Sequence, residues 1–106
     1  MVLELDSWTM KSPHDIDAQR AVAAEIKYRR GLLKVSQEEL AHLAGVHRTF
    51  IGKLEVAQTQ PSICVLFRLA QALEVEFSEL ATAIERRYRI EVEGRHSDSQ
   101  PTMRGT

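Results

Sequence analysis

Between residues 12 and 89, apolar side chains recur at intervals of three and four, the spacing of helices buried on one side. Ile16, Val22, Ala23, Ile26 and Leu33 form the first such stripe. Ser12 is its cap, Pro13 its first residue, and Asp15 and Asp17 lie in its first turn, where negative charge meets free amides. This helix is expected to end near Lys34. Leu40, Ala41 and Ala44 make a second, shorter stripe, and Ile51 with Leu54 a third. Pro61-Ser62 opens a fourth helix with Ile63, Leu66, Leu69, Ala70 and Leu73 facing inward. Val75 and Phe77 lead into a fifth, continued by Leu80, Ala81 and Ile84.

The periodicity fails at both ends. Residues 1–12 hold Val2, Leu3, Leu5 and Trp8 without a helical repeat, so they read as a short strand, a docked apolar arm or a partly ordered tail. Residues 86–94, RRYRIEVEG, are open to two readings. The fifth helix can run to Tyr88, or Tyr88, Ile90 and Val92 can alternate as a strand paired with residues 2–5. From Gly94 the chain is polar and aperiodic, and disorder is expected. The chain thus divides into an arm (1–12), an all-α domain of five helices (13–89) and a weakly ordered tail (90–106).

The stretch from Ser36 to Glu55, SQEELAHLAGVHRTFIGKLE, organises the domain. Ser36 and Glu39 have the spacing of a capping box, in which the hydroxyl accepts from a first-turn amide and the carboxylate accepts from the cap amide. Gly45 ends the helix, since glycine tolerates the left-handed backbone of a helix terminus. Val46 is a buried turn residue, and the next helix starts at His47. Two short helices, a glycine turn and small residues at their crossing make a helix-turn-helix.

The segment from about Ile26 to Leu80 resembles the XRE/phage-repressor class of helix-turn-helix domains. The matching residues are Arg30, Gln37, Glu38, Leu40, Ala41, Gly45, Val46, Ile51, Leu54, Glu55, Pro61, Ser62, Leu69, Ala70, Ala72, Leu73, Val75 and Leu80. HRTFIGKLE is similar to the recognition helix of restriction-modification controller proteins. The resemblance implies a lambda-repressor-like fold and binding to double-stranded DNA as a homodimer. It also implies that Gln37 binds a phosphate and that Arg30 and Glu55 form a structural ion pair. Two departures stand out. Arg29 occupies a usually apolar position and is expected to carry its charge outward on its aliphatic stem. The loop VAQTQ (56–60) replaces a segment that often has glycine and basic or polar residues, leaving Gln58, Thr59 and main-chain amides to meet the backbone of a duplex.

Base edges in the major groove are read from the exposed N-terminal part of such a helix. His47, Arg48, Thr49 and Lys53 are the expected base contacts, with Arg48 offering a fork to guanine and Thr49 a hydroxyl or a methyl. Gln37, Phe50, Gln58 and Thr59 are the expected backbone contacts. Gly52 leaves this face bare, allowing close backbone approach. A dimer would place two such helices about one DNA turn apart on a pseudo-palindrome. Phe77, Leu80, Ile84 and Tyr88 are its candidate surface, with Leu80 favoured for the core.

Composition narrows this reading without redirecting it. The chain has 106 residues, 43% hydrophobic and 27% charged, which fits one globular domain. Net charge is −1, so there is no overall basic footprint. Acids gather at Glu74, Glu76, Glu79 and Glu91, whereas Lys27, Arg29, Lys34, Arg48 and Lys53 lie in or before the helix-turn-helix. No apolar run nears the roughly 20 residues of a membrane span. Glu4 and Asp6 interrupt any signal pattern. The single cysteine, Cys64, agrees with a reducing cytoplasm. His14, His42, His47 and His96 lack metal-ligand spacing, and no nucleophile, acid pair or phosphate loop appears, so neither metal, cofactor nor enzyme activity is expected. The expected function is a transcriptional regulator. The alternatives are an antitoxin-type autorepressor with a toxin partner, or a protein-interaction module on the same fold.

Overall fold

A computed structural model describes residues 12–99, with side chains as far as Gly94. The expected N-terminal arm, its strand pairing and residues 100–106 lie outside the described residues. Five helices follow in order: α1 Pro13–Leu33, α2 Gln37–Ala44, α3 Arg48–Glu55, α4 Ile63–Ala72 and α5 Phe77–Ser99. The described residues contain no strand. Each helix sends at least one large side chain into a common core of Ile26, Leu40, Ile51, Leu54, Leu69 and Leu80, all inaccessible to solvent. Burying a side chain of this size contributes about 1.5–3 kcal/mol. Ala41, Ala44 and Ala70 keep the helix axes close where α2 crosses α3 and α4.

Some positions depart from the periodic reading. Ile16 and Ile63 are exposed, not inward-facing. At 3.6 residues per turn, Ile63 lies about 120° around α4 from Leu69, which sets the buried direction. Leu80 is 0% exposed within the single chain, so it belongs to the core and cannot form part of a dimer surface. The strand alternative for residues 88–92 is overturned, because α5 runs unbroken from Phe77 to Ser99. Its later turns keep helical spacing: Ile84 and Tyr88 face α1, and Glu85 pairs with Arg89 one turn on.

The helices begin and end by repeated devices. Ser12 with Asp15 and Ser36 with Glu39 are complete capping boxes, and the Ser62 hydroxyl accepts from the Val65 amide. At the other end, Lys34, Gly45, Ala57 and Glu74 all adopt left-handed backbone. In each case the next residue's amide reaches back to the carbonyl five positions earlier: Val35 to Arg30, Val46 to Ala41, Gln58 to Lys53 and Val75 to Ala70. This is the Schellman ending, and its apolar partner is a valine in three of the four. Only one of the four left-handed positions is glycine.

Gly45→Ala is expected to lower stability by about 1 kcal/mol through the backbone alone, since an added Cβ would meet nothing within 4 Å. Glu74→Gly, which relieves the same conformation, is expected to raise it by about 0.5 kcal/mol. Urea unfolding of the two variants checks both signs.

Candidate nucleic-acid interface

The capped start of α2, the Gly45 turn and α3 form one rigid corner. Gly45 (φ 70°) and the Val46 amide close α2, and the chain turns outward into His47, the N-cap of α3. His47 makes no side-chain capping bond. Ile51, Leu54 and Glu55 are the buried side of α3, while Arg48, Thr49 and Lys53 lie on its exposed side together with His47. Gly52 is half-buried between the two sides. Phe50, expected at the duplex backbone, is half-buried and packs on the core. Gln58 is exposed and Thr59 half-buried in the loop that follows.

Glu55 anchors this corner from behind. Its side chain is 2% exposed, and Arg30 of α1 grips it with both ends of the guanidinium, Nε to Oε2 at 2.6 Å and one terminal nitrogen to Oε1 at 3.0 Å. The other terminal nitrogen donates to the Val35 carbonyl at 2.9 Å. Gln37 Nε2 donates to Glu55 Oε1 at 3.0 Å, so its amide is already engaged within the fold. Burial disfavours the Glu55 charge, but the hydrogen bonds from Arg30 and Gln37, with the fields of Arg30 and Lys27, outweigh it and hold the carboxyl below its ordinary value. The same bond raises the pKa of Arg30.

A second ion cluster has no counterpart in the sequence-based expectations. Glu25 of α1 is buried and accepts from Arg29 Nε at 2.5 Å and from Arg87 Nε of α5 at 2.6 Å. Arg29 also lies 3.8 Å from Glu79, so its charge turns onto partners in α1 and α5, not simply outward. Arg87 stacks over the Tyr28 ring, 5.6 Å from its centre. Burial again opposes the Glu25 charge, and the two arginines overcome it, lowering the carboxyl pKa. The four-residue spacing of Glu25 and Arg29 was the available signal. The partner from α5 was not readable, because 62 residues separate it from Glu25.

The remaining candidates gather on the opposite side. Phe77, Ile84 and Tyr88 line a groove of about 360 Å³ with Val22 and Leu66. Phe67, 53% exposed, stacks on Phe77 with ring centres 4.2 Å apart. With Ile63 it extends the apolar surface beyond the residues singled out from sequence. Cys64 is exposed on the same helix. Among the described residues no cluster of His, Cys, Asp and Glu could hold a metal ion, and no helix is long and apolar enough to cross a membrane.

Comparison with known proteins places this geometry. The family model described as helix-turn-helix (HTH_3) matches residues 26–80, which span the end of α1 through the first turn of α5. The control protein C.SmaI of Serratia marcescens is 33% identical over 67 residues, covering 63% of this chain and 80% of that protein. The crystal structure of the restriction-modification controller protein C.AhdI from Aeromonas hydrophila is similar at TM-score 0.56 and 32% identity, covering 58% of this chain and 94% of that one. An HTH_3 family transcriptional regulator from Vibrio cholerae matches at TM-score 0.61 and 28% identity, over 67% of this chain and 40% of that one.

Arg30→Met is expected to cost about 3 kcal/mol, because it strands a buried carboxylate. Combining it with Glu55→Leu is expected to recover most of that loss in a urea double-mutant cycle. Acid supplies an independent check. Glu25 and Glu55 both titrate below the ordinary glutamate value in the folded chain, because their arginine partners outweigh the cost of burial. Each therefore contributes stability that is fully present above that value and lost as pH falls through the folded pKa. The thermal midpoint should hold level above about pH 5 and fall below it, less steeply in Glu25→Gln.

Proposed function

The chain belongs to the XRE-type helix-turn-helix family of transcription regulators, and from that premise we propose that it reads a pseudo-palindromic DNA site as a homodimer. The observation that carries this reading is the outward side of α3. His47, Arg48, Thr49 and Lys53 are exposed on a helix whose inner side is fixed by the Arg30–Glu55 fork. Arg48 presents a planar pair of donors suited to a guanine edge, Thr49 a small donor with a methyl, and Lys53 a mobile charge one turn further along. Gln37, Gln58 and Thr59 flank this row and meet the sugar-phosphate backbone, setting register without carrying sequence information. Phe50 adds only the part of its ring left outside the core.

One such helix covers only a few base pairs, so a second copy is needed for a specific site. Phe77, Ile84 and Tyr88, with Ile63 and Phe67, are the apolar surface that supports pairing of two copies. Two relatives named as control proteins support a regulator of the controller type, acting as repressor or activator according to where its site lies. The second reading is a protein-interaction module or antitoxin-type autorepressor with a toxin partner. Two observations favour it: the net charge of −1 and the bare Ala57 in the loop after α3.

Selection from random duplexes at two salt concentrations tests the proposal. A palindromic motif is expected, with affinity falling as salt rises. Arg48→Ala is expected to relax one position in each half-site at a cost of about 1–3 kcal/mol. Salt-sensitive binding without an enriched motif would refute sequence-specific reading, and no binding at low salt would favour the interaction module.

A further inference from the structure

Gln37 is the first residue of α2, where helix amides point away from their own turn. A glutamine there would ordinarily be a free surface arm. Here it is half-buried, and its Nε2 is bonded to a carboxylate eighteen residues on, at the end of α3. Its Oε1 lies alongside α3 at Gly52, 3.8 Å from where a Cβ would stand. The amide therefore links the two helices through its bond to Glu55.

Resting on the DNA reading above, we infer that Glu55 is a positioning residue for the duplex contact. It holds the Gln37 amide beside α3, leaving one Nε2 hydrogen to donate to a phosphate oxygen. The carboxylate does not itself repel the phosphate strongly, because the Arg30 fork covers it and Lys27 adds positive field. A side chain fixed in the free protein loses little rotamer freedom when it binds, so the contact forms with its ordering already in place. One carboxylate thus orients the recognition helix through Arg30 and the backbone contact through Gln37.

The test measures affinity for the selected duplex in wild type, Gln37→Ala, Glu55→Gln and the double variant. Gln37→Ala is expected to weaken binding about five- to tenfold at every sequence position alike. Glu55→Gln should weaken it at least as much, and the double variant no further than Glu55→Gln alone. Losses that multiply would overturn the inference while leaving the DNA reading intact. Because Glu55→Gln also loosens Arg30, Gln37→Asn provides a second arm. It keeps the amide and the Arg30–Glu55 pair but is one methylene too short to reach both Glu55 and a phosphate. It should bind like Gln37→Ala, and wild-type affinity would overturn the inference. In the free protein, the Gln37 side-chain amide should give a shifted NMR pair that moves to the position of exposed glutamines in Glu55→Gln. A pair already at that position in wild type overturns the positioning role. A shifted pair in a protein that binds no duplex overturns the DNA reading, and with it this inference.

Discussion

A single buried carboxylate sets the orientation of α3. Glu55 lies at the last turn of α3, and Arg30 at the last turn of α1 grips both of its oxygens. An arginine fork on a carboxylate fixes direction as well as distance, which apolar contacts do not. Ile51 and Leu54 hold α3 against the core, but methyl and methylene surfaces permit a helix to roll. The fork removes that freedom. Its remaining nitrogen on the Val35 carbonyl ties the α1–α2 connection to the same point, so three segments converge on one guanidinium.

Adjacent arginines give α1 its central place. Arg30 turns toward α3, while Arg29 joins Glu25, Glu79 and Arg87 against α5. A helix of 21 residues with charged attachments on two sides acts as a strut between α3 and the helix that carries Phe77, Ile84 and Tyr88. Replacing such clusters by apolar residues need not weaken a fold, and removing half of one does. The buried charges are therefore better understood as fixing how α3 and α5 sit on α1 than as a net source of stability.

The sequence displayed the five helices because their apolar stripes and serine caps are local features, settled within one or two turns. It displayed the Arg30–Glu55 pair only through resemblance, since nothing in the spacing of two residues 25 apart demands a contact. The Glu25–Arg87 bond had no such guide. Helix endings were legible where glycine marked them, at Gly45, and obscure at Ala57 and Glu74, which take the same left-handed backbone at some conformational cost. A better signal lay in the valines at 35, 46 and 75, each just past its ending and packed on the core. The length of α5 was misread because Ile90, Val92 and the glycine at 94 mimic a strand and its stop. The i,i+4 pairing of Glu85 with Arg89 belongs to the helix instead.

Net charge is a poor guide to this surface because it carries no information on where the individual charges lie. Glu25 and Glu55 are buried on arginines, and Asp15 and Glu39 are held in capping boxes at helix starts. The only acid of α3 is Glu55, and it is turned away from the exposed side that carries Arg48 and Lys53. On the exposed side of α3 itself the charged side chains are Arg48 and Lys53, whose fields reach about one Debye length, roughly 8–10 Å in physiological salt. A near-neutral chain can therefore carry two cations on the exposed side of α3. The buried Arg30–Glu55 pair keeps the one acid of the helix on the inner side.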